Sequence, residues 1–332
     1  MNLSWQIVRL ELKETFSISY GNYTFREALI VSLKSHNTIG YGECTAIDYY
    51  QINLQEFVQK LEVIKKQIEL QKIHHPQDFY RFLLTLELPS FLRSALDCAY
   101  WDLFGKLENK SFSELNAIEI QQLPESSITI SVDSIENQIQ KIKNSLWSKF
   151  KVKCNHFNEN NIKSLLQLNY DIALDSNGSF DKENCLWLQN EITSEKFSYL
   201  EQPMKKGQEN YEILKANLHS NWMADEDCQD ATSLEQLKPH YKSINIKLVK
   251  CGGLTPALEM VQKARSLNYK IMIGCMTESS VGISAGSVLS SLCDFADLDG
   301  ANLVANDIAK GSQIVNGKIQ LSEKPGLGIE II

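Results

Sequence analysis

A chain of 332 residues is long enough for two domains of ~150 residues, or for one large barrel with a smaller attachment, and too long for one small domain. Its 33 basic residues stand against 41 acidic ones, a net charge of −8, and no basic run marks either end, so neither nucleic acid nor an anionic membrane is an expected partner. Residues 1–14 alternate polar and apolar character with charges at Arg9, Glu11, Lys13 and Glu14, which does not read as a signal peptide, and no apolar run approaches the ~20 residues of a membrane span. The expected compartment is the cytoplasm.

None of the eight cysteines falls in a CxxC spacing, so structural thiols in a reducing compartment are expected rather than zinc or dithiol chemistry. His74 and His75 are the one close histidine pair, and sequence neighbours point apart on a helix or strand, so no histidine metal site is expected.

Taken in chain order, Met1–Ser17, Phe25–Ser35 and Thr38–Cys44 are rich in β-branched and alternating residues, broken at His36-Asn37 and at a Gly40-Tyr-Gly42 turn, which predicts a three-stranded antiparallel sheet. Leu54–Leu70 carries apolar residues at helical spacing, and Ser90–Leu107 does so again, with Ser90 as its N-cap and Gly105 near its end. From about Ser127 short apolar runs alternate with helix-sized segments. The runs are Ile128–Val132, Phe150–Lys153, Tyr170–Asp175, Ser198–Glu201, Trp222–Asp225, Ile244–Leu248, Lys270–Gly274 and Phe295–Leu298. Eight strands, each needing a crossover helix to run parallel, predict a (β/α)8 barrel. A doubly wound sheet is disfavoured, because Gly40-Tyr-Gly42 lacks the third glycine of the dinucleotide fingerprint. The predicted organisation is an α+β capping domain over 1–120, the barrel over 121–309, and a turn-rich tail over 310–332 that returns to the capping domain and rejoins its sheet.

Gly282-Ile-Ser284-Ala-Gly286 fits the nucleophile elbow of serine hydrolases, whose histidine follows the serine, but the last histidine here is His240. These residues are expected to pack the start of a barrel helix instead.

The ends of the barrel runs carry the chemistry: Lys151-Val-Lys153, Asp175, Glu201, Asp225, Lys247 and Asp297-Leu-Asp299. From 153 to 175 is 22 residues, then 26 to 201, 24 to 225 and 22 to 247, about one β/α unit each, so these side chains converge on the C-terminal mouth of the barrel. Three neighbouring carboxylates repel one another in a cleft unless a divalent cation lies between them, and an all-oxygen set suits Mg²⁺. Lysines from the second and sixth strands flank it, a base for one face of a substrate and an acid for the other.

These residues resemble the enolase superfamily, in its muconate lactonizing enzyme-like subgroup. The resemblance runs over the whole chain, through Gly40-Tyr-Gly-Glu43, Lys151-Val-Lys153, Asp175-Ser-Asn177-Gly, Glu201-Gln-Pro203, Ala224-Asp225-Glu226, Asn245-Ile-Lys247-Leu-Val-Lys-Cys-Gly252-Gly253 and Thr277-Glu-Ser-Ser280. It implies Mg²⁺ held by Asp175, Glu201 and Asp225, Lys153 and Lys247 as the acid/base pair, and Lys151 supporting the substrate carboxylate. Asp297-Leu-Asp299 looks like the DxD motif of dipeptide epimerases, which receives the α-ammonium; strand alternation is expected to put both carboxylates on one face. By the same resemblance Thr129 and Cys275, Met276 and Thr277 line the substrate pocket. The implied activity is epimerisation of the C-terminal residue of a dipeptide by two-lysine proton transfer through a metal-stabilised enediolate. The lysine bases need lowered pKa values for this, which the metal and Lys151 are expected to supply. Alternatives are an o-succinylbenzoate synthase, an N-acylamino acid racemase, or a non-catalytic binding protein of the same fold. Asn155-His156 replaces a glycine common after the KxK motif. Where Ala-Glu epimerases carry a capping-loop arginine, this chain has Tyr20 and Gly21; Arg26 is expected to begin a strand, so no strong preference for an acidic second residue is expected. Preferred dipeptide and oligomeric state, homo-oligomer included, stay open.

Overall fold

The computed structural model describes residues 1–218 and 220–332, with Ile192 described by its backbone alone. Strands β1 (Asn2–Ile18), β2 (Gly21–Ser35) and β3 (Thr38–Thr45) form one antiparallel sheet in that order. Helices α1 (Leu54–Glu69), α2 (Pro76–Leu84) and α3 (Ser90–Glu108) follow. The buried face of α1 is the apolar set Leu54, Phe57, Leu61, Ile64 and Ile68, which meets Leu29, Val31 and Leu33 of β2 in one core. Ser90 is the first helical residue of α3 and not its cap: Pro89 holds the N-cap position, and Asn109 in the left-handed region ends the helix.

Gly40-Tyr41-Gly42 is no turn but the middle of β3. A Cβ on Gly40 would lie 2.2 Å from the Ala99 carbonyl oxygen, and one on Gly42 would lie 2.0 Å from that of Ala95. The glycines let the backbone of α3 rest directly on the sheet.

The eight predicted runs are eight parallel strands: β4 (Ile128–Ile130), β5 (Lys149–Lys153), β6 (Asp171–Asp175), β7 (Leu200–Glu201), β8 (Trp222–Ala224), β9 (Ser243–Lys247), β10 (Lys270–Gly274) and β11 (Phe295–Asp297). Each pairs with its neighbour in sequence order. A parallel bridge between Ser126 and Ala296 and a bond from Ser127 N to the Ala296 carbonyl (3.0 Å) bring the ends of the series together. Gly282, Ser284 and Gly286 sit in the helix Ser280–Ser287, where the buried Ser284 hydroxyl accepts from Ser312 N (2.9 Å), a packing role.

Carboxylates of the capping domain cap two barrel helices. Asp97 of α3 accepts from Thr255 N (2.9 Å) and Thr255 Oγ1 (2.7 Å) at the start of Leu254–Ser266. Glu43 of β3 accepts from Ser279 N (3.0 Å), Ser279 Oγ (2.5 Å) and Gly282 N (3.0 Å) at the start of Ser280–Ser287. Each satisfies helix N–H groups that would otherwise be buried without partners, and so orients one domain on the other. The β1–β2 hairpin end leans over the barrel mouth, Val132 N donating to the Ser17 carbonyl (2.9 Å). In the tail, strands Ala309–Lys310 and Glu330–Ile331 pair with each other, and Gln313–Val315 with Lys318–Gln320. The tail therefore does not extend the three-stranded sheet; it meets α3, with Leu327 N donating to Asp102 (2.9 Å) and Lys106 to the Ile329 carbonyl (2.8 Å). No helix among the described residues is long and apolar enough to cross a membrane.

Candidate active site

Parallel pairing sets the strand ends level. Lys153, Asp175 and Glu201 are consecutive register partners on β5, β6 and β7, and Lys247, Gly274 and Asp297 are so on β9, β10 and β11. Asp225 is one residue beyond β8. In a closed ring of eight strands β5 and β9 are diametrically opposed, so Lys153 and Lys247 face each other across the mouth. The six side chains Lys153, Asp175, Glu201, Asp225, Lys247 and Asp297 are all buried, at 1–8% exposure.

The lysines rest on the carboxylates. Lys153 Nζ is 2.5 Å from Asp175 Oδ2, and Lys247 Nζ is 2.7 Å from Asp225 Oδ2. Lys151 Nζ lies 3.7 Å from both Asp175 and Glu201 and bonds Asp297 Oδ2. With ammonium groups between them, no three His, Cys, Asp or Glu side chains among the described residues are gathered as a ready metal cage. The donor set nonetheless suits a hard cation: three buried carboxylates from adjacent strands, with Glu201 Oε2 buried and without a hydrogen-bond partner. Burial, followed by the Asp175 charge, pushes the Glu201 carboxyl up to about 8, the condition of a group that takes either a proton or a cation.

Burial alone would raise Asp225, but Lys247 and Lys250 hold it far below the usual range. Burial alone would lower Lys247 and Lys151, yet Asp225 raises the first and Asp297 the second well above the ordinary lysine value. Asp225 thus holds Lys247 as an ammonium, and Asp297 does the same for Lys151.

The DxD pair differs from expectation in its geometry. The strand ends at Asp297, and Asp299 has helical φ and ψ at the start of Gly300–Leu303, so alternation does not align the two. They are brought together by separate partners: Asp297 accepts from Ser127 Oγ (2.9 Å) and Asp299 from Thr129 N (2.6 Å). Burial and then the Asp297 charge push the Asp299 carboxyl up to about 6. Thr129 therefore lies at the site, with its backbone engaged by Asp299.

A cavity of about 60 Å³ opens among these groups, lined by Thr129, Lys151, Lys153, Asp225, Lys247, Cys275, Met276, Thr277, Asp297 and Asp299 from the barrel. Phe16, Ile18, Tyr20, Arg26, Ile47 and Tyr50 close it from the capping domain. Arg26 is a strand residue but lies inside β2, which starts five residues earlier at Gly21, and it also lines the cavity; it is 5% exposed, its Nε has no partner, and its guanidinium stacks 3.5 Å over Tyr23. Asn155 and His156 bond each other (2.7 Å) in an exposed position outside the cavity.

Sequence reasoning missed Lys250, whose buried ammonium donates to Asp225 Oδ1 and to the Asp225 carbonyl, each at 2.6 Å. Its signal was the three-residue spacing from Lys247 across the short helix Leu248–Cys251, which turns both lysines to one side. Asn245, bonded to Glu201 Oε1 (2.7 Å), had a similar one: two residues before Lys247 on β9, on the same inward face.

Residues 135–332 match the family model described as enolase C-terminal domain-like. The L-Ala-D/L-amino acid epimerase of Maribacter sp. is 34% identical over 100% of this chain and 99% of its own length. The enzyme of the same name from Flavobacterium johnsoniae is 34% identical over 100% of both. A dipeptide epimerase from Methylococcus capsulatus, solved with Mg and the dipeptide L-Arg-D-Lys, superposes with a TM-score of 0.88 at 22% identity, over 100% of this chain and 99% of that one.

Proposed function

We propose, from the premise that this chain belongs to the enolase superfamily and falls among its dipeptide epimerases, that it is a Mg²⁺-dependent isomerase inverting the α-carbon of the C-terminal residue of a dipeptide. The observation that carries the reading is the opposition of Lys153 and Lys247 across a mouth whose intervening strands bring three carboxylates. Asp175, Glu201 and Asp225 are the residues that would hold Mg²⁺. When bound, that ion supplies positive charge to steady the substrate carboxylate as negative charge develops on it.

The chain's own residues do the rest. One lysine takes the α-proton from its face and the other delivers a proton to the opposite face, which inverts the centre; in the reverse direction the roles exchange. Each must be a free amine when it acts as base, so the ion pairs of Lys153 with Asp175 and of Lys247 with Asp225 must open before either lysine takes a proton. Lys151, cationic throughout, is placed to meet the substrate carboxylate. Asp297 and Asp299 receive the α-ammonium, an arrangement that neither an N-acylamino acid nor succinylbenzoate chemistry requires. Arg26, a buried guanidinium with an unpaired donor at the cavity wall, gives an acidic second residue a partner that the sequence did not assign.

Incubating a library of free L-Ala-L-X dipeptides in D₂O with Mg²⁺ tests the reading by mass spectrometry and chiral analysis. One deuterium on the α-carbon of X, with appearance of the D-epimer, is the expected result. Turnover of N-succinylamino acids in preference to every free dipeptide would move the chain to the racemases.

A further inference from the structure

A second cleft lies away from the catalytic mouth. It is half-open, with a volume of about 640 Å³, beside Ser243, Lys270 and Phe295, the first residues of β9, β10 and β11, and therefore sits at the N-terminal end of the barrel. That volume is within the ~300–1,000 Å³ usual for small-molecule sites. Lys215, Lys238, Lys242 and Lys270 line it together with His240, and among the described residues no carboxylate does, in a protein whose net charge is −8. Overall composition therefore does not account for this concentration of positive charge.

Two of the ammonium groups are half-buried and already fixed: Lys238 Nζ donates to the Asn268 carbonyl (2.9 Å) and Lys242 Nζ to the Leu218 carbonyl (2.6 Å). Burial pushes both ammonium pKa values down, and for Lys242 the charge of Lys270 adds to the effect while Glu195 opposes it. Other carboxylates nearby are engaged elsewhere, Asp171 with Lys149 (3.2 Å) and Asp294 with Arg265 (2.6 Å). Phe295 and Pro239 add an apolar wall.

We propose that this cavity is a second ligand site, for a small molecule carrying a diphosphate or an equivalent cluster of phosphoryl charges, held by Lys238, Lys242 and Lys270 with its body against Phe295. Lysines without an arginine favour this ligand over a planar carboxylate, since they act as point charges and offer no bidentate fork. The site lies at the opposite end of the barrel from the dipeptide cavity and does not depend on the epimerase reading.

Isothermal titration of the full-length, metal-free protein with ADP and with inorganic pyrophosphate, at ionic strength fixed with NaCl, tests it. The site predicts saturable 1:1 binding, at least tenfold weaker in Lys238→Gln/Lys242→Gln and in Lys270→Glu, and unchanged in Lys153→Gln. Tighter binding of ADP than of pyrophosphate assigns an organic phosphate, and equal binding assigns the phosphoryl group alone. A circular-dichroism spectrum and melting temperature matching the parent show that the Lys238→Gln/Lys242→Gln and Lys270→Glu variants are folded. No saturable binding, binding unaffected by the Lys242 and Lys270 changes, or binding lost in Lys153→Gln would overturn the proposal.

Discussion

At the scale of single residues, the site is a set of charges held by one another. Asp297 and Asp299 are buried at 2% and 3% exposure, Asp297 held by Ser127 and Lys151 and Asp299 by Thr129, so on the proposed reading the substrate ammonium would meet carboxylates that are already positioned. Asp299→Asn is expected to lower kcat/KM for Ala-Leu by roughly a hundredfold, the scale of a desolvated charge-assisted bond, with N-acetyl-Ala-Leu a poor substrate of both proteins. Because the Asp299 carboxyl is pushed up to about 6, it binds a proton as pH falls through that value and ceases to attract the ammonium. KM for a free dipeptide should therefore rise below pH 6, a trend that Asp299→Asn removes. Arg26→Gln is expected to reduce kcat/KM for Ala-Glu at least tenfold more than for Ala-Leu; equal losses on the two substrates would leave Arg26 a packing residue beneath Tyr23.

At the scale of elements, β3 and α3 are locked by the close approach of backbones at Gly40 and Gly42. Gly42→Ala places a methyl 2.0 Å from a helix carbonyl that has no side-chain freedom to yield, and is expected to cost about 3 kcal/mol of stability in urea titration, at the upper end for overpacking. The eight barrel strands were legible because each is a short apolar run and six of them carry a charge at the end, a pattern set by burial on both faces and by the mouth beyond. The glycine pair was not, since a turn and a close helix contact both require a missing side chain and only the tertiary partner distinguishes them. Likewise 297 and 299 were correctly grouped for the wrong reason: the spacing of two is a strand signal only while the strand continues, and here it stops at Asp297. Arg26 was read as a strand residue, which it is, but a strand position in the sequence does not reveal that the β1–β2 hairpin overhangs the barrel.

At the scale of the whole molecule, buried acids join the domains and line the mouth. Asp97 is pushed up to about 7 and Glu278 up to about 8, burial being the first cause of each, so the native state holds protons that the unfolded chain releases above the usual carboxylate range. Stability contributed this way is present at low pH and lost as pH rises through 7 to 8; the metal-free protein should melt higher at pH 6 than at pH 8 by calorimetry. EDTA is expected to abolish activity and Mg²⁺ to restore it. The two-lysine account is tested most directly by hydrogen exchange in single variants. In D₂O with Mg²⁺, Lys153→Ala and Lys247→Ala should both fail to epimerise an Ala-X dipeptide, yet each should wash deuterium into the α-carbon of one epimer only, and the two variants into opposite epimers. Epimerisation at near wild-type rate in either variant, or exchange of the same epimer by both, would contradict it.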